Sequence, residues 1–249
     1  MRFRRLLALL GLPVGMLAAD PDALLRDALA AEARLDSRAA LALLLELEPR
    51  RPADAFLLQK IAQQYSDLVV EQADPESKKR YARTALDYAE RAVALQPDNA
   101  VNELSLAVCY GKLATYSDTR TKVDYSRQVK RHAERALALD PGYAWAHHLL
   151  GRWHREVAEL SGTARFFVRL LYGGLPAASH AEAVARLERA VALEPDVPSH
   201  AVELGFAYAA AGRPEDARRS WERSLELPAR LKHDAPAQQR ARRALAGLD

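Results

Sequence analysis

The chain has 249 residues, of which 49% are hydrophobic and 28% charged, as is ordinary for a soluble globular protein with its own core. Its formal net charge is +3, but residues 1–19 carry three arginines and no acidic residue, so the remainder is electrically balanced. A balanced chain has no general positive field, which argues against nucleic acid as a partner. The single cysteine, Cys109, excludes an intrachain disulfide and lies in an apolar stretch typical of a core.

The N-terminus has the pattern of a secretory signal peptide over residues 1–19. A start rich in arginine is followed by an apolar run from Leu6 to Leu17, and small residues precede Asp20. The run is too short to cross a bilayer as a helix, which needs about 20 residues. We therefore expect cleavage before Asp20, export to the periplasm, and a mature domain over 20–249 without a transmembrane span. The alternatives are an uncleaved anchor, or a cytoplasmic protein if this segment is not a signal.

A phrase made of Glu-Arg-Ala, an apolar run and a proline recurs along the chain. Three close copies occupy residues 89–97, 133–141 and 187–195. A less similar copy occupies residues 221–228, and a more degenerate one ends at Pro49. Such self-similarity is typical of stacked helical repeats, and the chain is rich in the strong helix formers alanine, leucine, arginine and glutamate. The phrase therefore predicts an all-α repeat fold.

A second regularity sets the register of each repeat. A leucine stands nine residues after each repeat proline, in the pairs Pro49–Leu58, Pro97–Leu106, Pro141–Leu150 and Pro195–Leu204. The next residue is mostly small, as at Gly205, and an apolar or aromatic residue often follows three positions later, as at Tyr208. This pattern places a helix face where a neighbouring helix can approach closely. Each unit is thus predicted to be two helices joined by a turn, which resembles the 34-residue tetratricopeptide repeat.

The spacing of the Glu-Arg-Ala copies locates two insertions between the paired helices. The last interval is 34 residues, but the two before it are 44 and 54, which places extra residues near 111–125 and 158–179. The longer insertion predicts a short extra helix near 161–175, and a capping box beginning at Ser179 then starts the next helix. We expect this extra helix to lie across the array with Phe166 and Phe167 packed inward. The alternative is a mobile lid or a membrane wedge.

Several segments of the chain are similar to the regulator of microtubule dynamics proteins. They are the stretch from His148 to Trp153, the pair Ala158-Glu159, the basic and apolar insertion ending at Ser179, and residues 225–228. The resemblance covers roughly residues 80–240 and implies an all-α, tetratricopeptide-like domain. The family name describes eukaryotic members, and a chain with a bacterial-type export signal would not meet microtubules, so that activity is not carried over.

No motif for catalysis or cofactor binding is found in the sequence. It lacks a glycine-rich phosphate loop, a nucleophile elbow, a His-Glu-x-x-His motif and paired cysteines. His147 and His154 would lie about 10.5 Å apart along a helix, too far for one metal ion to bind them together with His148. His154 occupies a position where sister units have tyrosine, which favours a packed core histidine. We therefore predict no catalytic residue, no metal and no cofactor.

The concave face of the array is the candidate binding surface. In tetratricopeptide arrays the first helix of each pair lines a groove through residues spaced i, i+3, i+7 and i+10. This register selects Lys60, Val101, Leu104, Val108, Trp145, His148, Arg152, Arg155, Val202 and Phe206, with Phe56 and Gln63 beside Lys60. The surface is apolar with a cationic middle, which suits an amphipathic or carboxylate-bearing peptide held by Arg152 and Arg155. Alternatively, the extra helix or an N-terminal helix at 23–35 fills the groove.

Two functions follow from this groove. The leading hypothesis is a non-catalytic scaffold that binds a protein or peptide, because repeat arrays expose large concave surfaces. The alternative is a carrier of lipid or another amphiphile in the cell envelope, suggested by the apolar residues Val101, Leu104, Val108, Val202 and Phe206 along one groove. An enzyme is the least favoured class.

Overall fold

The computed structural model describes residues 20–247, and the predicted signal peptide lies outside them. The described residues form twelve α-helices and no β-strand, which confirms the all-α prediction. The helices are α1 (Pro21–Ala33), α2 (Ser37–Leu47), α3 (Ala55–Leu68), α4 (Pro75–Leu95), α5 (Ala100–Ala114), α6 (Thr119–Leu139), α7 (Ala144–Ala158), α8 (Gly162–Tyr172), α9 (His180–Leu193), α10 (Pro198–Ala210), α11 (Pro214–Glu226) and α12 (Asp234–Ala246).

The helices pack as consecutive hairpins, as in a tetratricopeptide array. The hairpins are α1 with α2, α3 with α4, α5 with α6, α7 with α9, and α10 with α11. The first helices of neighbouring hairpins also touch, α3 with α5, α5 with α7 and α7 with α10, so the hairpins stack side by side. Helix α12 packs on α10 and α11, where the first helix of a further hairpin would lie. The stacked-repeat prediction is therefore confirmed.

Many helices begin at a side chain that satisfies a free backbone N–H group. The first N–H groups of a helix have no partner within it, and a short polar side chain at the preceding position accepts from one of them. The residues that do so are Asp20, Asp36, Asp54, Asp74, Asn99, Asp118, Ser161 and Ser179. Ser179 Oγ accepts from the Glu182 N–H at 3.1 Å, so the predicted capping box does begin α9.

The recurring Glu-Arg-Ala phrase packs the second helix of each hairpin. The residue just before the glutamate and the residue just after the arginine are both buried in all four clear copies. These pairs are Ala89 and Ala92, Ala133 and Ala136, Leu187 and Ala190, and Trp221 and Ser224. Residues three apart share a helix face, so the phrase forms the face that meets the neighbouring helices. The phrase thus serves packing, and the first helices are left to form the concave surface.

The small residue that follows the repeat leucine lies where the two helices of a hairpin approach each other most closely. A Cβ atom added at Gly205 would lie 2.3 Å from Nε1 of Trp221, and one added at Gly151 would lie 2.6 Å from Cγ of Leu187. Both distances are far below van der Waals contact, so only glycine fits these helices at their present separation. The helix register inferred from the proline-to-leucine spacing is therefore confirmed.

The extra helix exists, but its orientation differs from the prediction. Phe166 and Phe167 on α8 are 61% and 51% exposed, so the expectation that they pack inward is wrong. The half-buried residues of α8 are Ala164, Val168 and Tyr172, at positions i, i+4 and i+8. This smaller stripe meets the array, and the phenylalanines on the opposite side of the helix are turned to solvent.

The C-terminal segment before α12 reaches back to the first two hairpins. Lys232 Nζ donates to Ser37 Oγ at 2.7 Å and to the carboxylate of Glu71 at 2.9 Å. His233 Nε2 lies 3.0 Å from the carboxylate of Asp67. The superhelix therefore curves until its two ends meet on the concave side. Within residues 20–247, no helix is both long and apolar enough to cross a bilayer.

Candidate functional site

The meeting of the two ends turns the groove into a cavity of about 780 Å³. Its walls are the concave faces of α1, α3 and α5, the start of α7, and residues 230–233 of the C-terminal segment. This volume lies in the ordinary range for ligand sites, about 300–1,000 Å³. Five of the ten predicted groove residues line it: Lys60, Val101, Leu104, Val108 and Trp145.

Four large apolar side chains that are partly exposed to solvent lie together in the cavity. Leu35, Phe56, Val101 and Leu231 are each between 41% and 46% exposed, and all four line the cavity. They come from three different hairpins and the C-terminal segment, so only the closed superhelix brings them together. Large exposed apolar side chains gathered in one concavity are typical of a binding site.

A lysine without a partner is the most unusual polar group of the cavity. Lys60 forms an ion pair with Glu32 at 2.8 Å, and Lys232 is held by Glu71, whereas Lys112 makes no hydrogen bond or ion pair within residues 20–247. Burial lowers the pKa of Lys112, the carboxylate of Asp67 opposes this, and the guanidinium of Arg152 adds to the lowering. An unpaired ammonium in a desolvated position is a ready site for an anionic group of a ligand.

Two glutamines add unpaired amides to the same walls. Gln64 is fully buried, and neither its Nε2 nor its Oε1 has a hydrogen-bond partner. Gln59, 6% exposed, lines the cavity and makes no hydrogen bond within the described residues. A primary amide offers both a donor and an acceptor, which is what a peptide group requires. Because an unsatisfied buried amide is costly, Gln64 favours a polar ligand atom beside it, and the free amide of Gln59 could bind the same ligand.

The other five predicted residues, His148, Arg152, Arg155, Val202 and Phe206, lie beyond the cavity. Val202 is fully buried and Phe206 packs with it against α12. Arg152 pairs with Glu156 at 2.7 Å, and Arg155 bonds Glu159 at 3.1 Å. This part of the groove is filled by neither the extra helix nor the N-terminal helix, the two candidates considered from sequence. It is covered by α12, which the sequence analysis did not assign.

A buried carboxylate organises the covered region. Glu203, 3% exposed, accepts from Arg240 of α12 at 2.5 Å and from Arg155 of α7 at 3.4 Å. Burial alone would raise the pKa of Glu203, but Arg152, His148, Arg240 and Arg155 together lower it. The arginines predicted to bind a ligand carboxylate therefore already surround a carboxylate of the chain itself.

His148 is half-buried and packs against the fully buried imidazole of His200 rather than lining an open ligand site. Its Nδ1 lies 2.9 Å from Nδ1 of His200, and Nε2 of His200 lies 3.1 Å from Glu194. With Nε2 of His200 donating to that carboxylate, Nδ1 of His200 accepts from Nδ1–H of His148. Trp145 packs on both rings, with centroids 5.1 Å and 4.5 Å away. Both histidines are therefore neutral members of a packed cluster.

We expect this pair to make the protein less stable as the pH falls. Burial, then the neighbouring His200, lowers the pKa of His148 to about 3, so between pH 6.5 and 3 the unfolded chain binds a proton that the folded chain does not. From pH 6.5 to 5 this term removes about 2 kcal/mol of unfolding free energy. Urea unfolding across that range checks it: His148→Gln should show a flatter profile than wild type. An unchanged profile would contradict the cluster's role.

The remaining chemistry-bearing residues are structural. Cys109 is 1% exposed, and burial raises the pKa of its thiol to about 12, as suits the predicted core cysteine. His154 is 8% exposed and packs edge-on against Trp153, which confirms it as a core histidine. Among residues 20–247, no group of three histidine, cysteine or acidic side chains is placed to hold a metal ion.

The fold defines a tetratricopeptide-like repeat protein, and the cavity on its concave side is the candidate site. The chain belongs to the regulator of microtubule dynamics protein 1-3 family, which it matches over residues 24–249. It is 27% identical over 197 residues to regulator of microtubule dynamics protein 1 of Bos taurus, covering 78% of this chain and 62% of that protein. The Mus musculus protein of the same name is 26% identical over 206 residues, or 82% of this chain and 68% of that protein.

The chain therefore spans less than two thirds of the bovine relative. Among solved structures, a thermophilic tetratricopeptide protein of Thermus thermophilus superposes with a TM-score of 0.65 at 23% identity, over 91% of this chain and all of that one. MamA of Desulfovibrio magneticus superposes with a TM-score of 0.52 at 16% identity, over 84% of this chain and 96% of that one. At these identities the structures establish the shared fold.

Proposed function

We infer that this chain is a non-catalytic binding protein that takes an apolar peptide segment bearing a carboxylate into the central cavity. The observation that carries the proposal is the unpaired ammonium of Lys112 in a cavity whose walls expose Leu35, Phe56, Val101 and Leu231. An apolar ligand would cover these side chains, and its acid group would pair with Lys112. The first interaction would remove exposed apolar surface from water, and the second would give the unpaired ammonium a partner.

The amides of Gln59 and Gln64 favour a peptide over a purely hydrocarbon ligand. Each can donate to a carbonyl and accept from an N–H of an extended backbone, and neither is engaged elsewhere. Apolar side chains of the ligand would meet Phe56 and Trp145, which are aromatic anchors of the kind that dominate binding energies. Export of the protein, predicted from residues 1–19, would make this ligand a partner in the periplasm.

A lipid or other amphiphile with an acid group is the second candidate. The contacts of Lys232 and His233 close one side of the cavity, and a groove that is closed at one side suits a single acyl chain better than a long polypeptide. The two candidates share the role of Lys112 but differ at the glutamines, because an acyl chain has no peptide group to pair with them.

Binding should depend on Lys112. We expect Lys112→Met to weaken binding of short apolar peptides with a free C-terminal carboxylate by about 10- to 100-fold, the equivalent of one charge-assisted hydrogen bond at about 1.5–3 kcal/mol. Amidated versions of the same peptides should lose little, because they lack the acid group. Calorimetric titration measures both, and Lys79→Met, an exposed lysine on α4, is the matched control.

Two further results separate the candidates. Replacing Gln59 and Gln64 by leucine should weaken peptide binding and leave binding of a fatty acid unchanged if the peptide proposal holds. Native mass spectrometry that finds acyl lipid on the purified protein, with no affinity for any carboxylated peptide, would establish the second candidate instead. Equal peptide affinity in wild type and Lys112→Met would contradict the assigned role of the lysine.

A further inference from the structure

Helix α8 presents an apolar face that nothing in the described chain covers. Phe166, Phe167, Leu170 and Leu171 are between 51% and 65% exposed. At about 100° per residue these four side chains occupy one continuous arc of the helix. The half-buried residues Ala164, Val168 and Tyr172, by which the helix meets the rest of the protein, all lie outside this arc.

The exposed face is held firmly in place at both ends of the helix. Ser161 Oγ caps the start at the Ala164 N–H, 3.1 Å away, and Arg165 bonds the carbonyls of Ala158 and Leu160 at 2.8 and 3.0 Å. At the other end Gly173 adopts a φ of 75°, and Arg127 of α6 donates to the carbonyls of Tyr172 and Gly174. The apolar face is therefore a fixed feature of the surface and not a frayed segment.

The charged side chains of the segment that carries this face, residues 160–181, have one sign. Residues 160–181 include Arg165 and Arg169 and no acidic residue, although the chain after residue 19 is balanced as a whole. Arg165 is engaged with backbone carbonyls, whereas the guanidinium of Arg169 makes no hydrogen bond or ion pair within residues 20–247. Arg169 precedes Leu170 and lies on the edge of the apolar arc, where a free cation can meet an anionic group.

We propose that α8 docks the protein onto the surface of an anionic lipid bilayer. Phe166, Phe167, Leu170 and Leu171 enter the boundary between headgroups and acyl chains, and Arg169 pairs with a lipid phosphate. A short amphipathic helix with aromatic and leucine residues on one face and arginine beside them is the pattern of helices that lie in this interface. With 11 residues, α8 is about 16 Å long and lies along the membrane rather than crossing it.

A second copy of the chain is a poorer occupant of this face. A helix about 16 Å long and about 10 Å wide offers far less than the ~800 Å² that each partner buries in a stable protein interface. Two copies meeting through α8 would also bring their unpaired Arg169 side chains together with no acid to compensate them. A bilayer has no such size limit, and anionic lipids supply the missing negative charge.

Vesicle flotation of the full-length chain tests the proposal. We expect wild type to float with phosphatidylcholine vesicles that contain phosphatidylglycerol, and Phe166→Ser/Leu170→Ser to reduce the bound fraction at least about tenfold. Arg169→Glu should reduce binding to the anionic vesicles only. The matched control is Val70→Ser, which changes an apolar side chain that is 62% exposed outside α8 and should bind as wild type does. All variants share residues 1–19, so their differences report on α8.

Circular dichroism establishes that each variant is folded, which the exposure of all four side chains predicts. Equal flotation of wild type and the double variant would overturn the proposal. So would light scattering that shows a wild-type dimer converted to monomer by Phe166→Ser/Leu170→Ser, because the face would then be an interface between copies.

Discussion

Replacing Gly205 with alanine is expected to lower the free energy of unfolding by about 2–3 kcal/mol, through overpacking against Trp221. The added Cβ would lie 2.3 Å from Nε1 and 2.4 Å from Cδ1 of the indole, so α10 and α11 must move apart. That movement strains the hydrogen bond from Trp221 Nε1 to the Val202 carbonyl, now 3.2 Å long. Thermal unfolding should show a melting temperature lower by about 5–10 °C.

The same substitution at another helical glycine provides the control. A Cβ added at Gly111 would meet Val129 Cγ2 at 3.7 Å, an ordinary contact. Gly111→Ala should therefore stabilise the protein by up to about 1 kcal/mol, the helix-propensity difference between the two residues. Because Gly205→Ala gains the same propensity, a net loss at position 205 isolates the steric term. Equal behaviour of the two variants would mean that α10 and α11 are not packed at this distance.

Replacing Glu203 with leucine is expected to destabilise the protein by about 2–4 kcal/mol, since it leaves Arg155 and Arg240 facing a buried position without their carboxylate. Arg155 is only 12% exposed, so water compensates it poorly. Glu159→Leu is the control: that carboxylate also pairs with Arg155 but is 45% exposed, and its loss should cost less than about 1 kcal/mol. Chemical unfolding measures both, and a smaller loss at Glu203 than at Glu159 would contradict the buried network.

The pH dependence of the Glu203 network has a defined sign. The folded pKa of Glu203 lies below its ordinary value, because four cationic or polar neighbours outweigh burial. The stability it contributes is therefore present above the ordinary glutamate pKa and is lost as the pH falls through the folded value. This loss of stability adds to the loss from His148. We therefore expect acid to weaken the contact between α12 and the concave side before it affects the second helices of the hairpins.

Local patterns in the sequence were enough to obtain the repeat architecture. The proline-to-leucine spacing gave the register because it reflects close packing between helix neighbours, and Gly205 against Trp221 is its physical basis. The extra helix was also predictable, since Gly162, Gly173 and Ser179 mark its surroundings. Its orientation was not predictable, because hydrophobicity favours burial of the larger Phe166, whereas the structure exposes Phe166 and half-buries the smaller Val168.

The site was predictable only in its N-terminal half. On α5 the register i, i+3, i+7 selected Val101, Leu104 and Val108, and its next position, i+10, is Gly111. Lys112, one residue later and four after Val108, lines the cavity and was not selected. Closure of the array depends on the pair Lys232 and Glu71, 161 residues apart, for which a single sequence carries no signal. The same is true of the position of α12, whose Arg240 pairs with Glu203, the carboxylate that also engages Arg155.

Photo-crosslinking from within the cavity tests the central claim most directly. Benzoylphenylalanine in place of Phe56, 46% exposed in the cavity, should crosslink to a bound apolar peptide with a free carboxylate. The same group in place of Leu95, 45% exposed outside the cavity, should not, and Lys112→Met should strongly reduce the product at position 56 when the peptide is kept below its weakened dissociation constant. Crosslinking of equal yield from both positions, or from position 95 alone, would contradict the assignment of this cavity as the binding site.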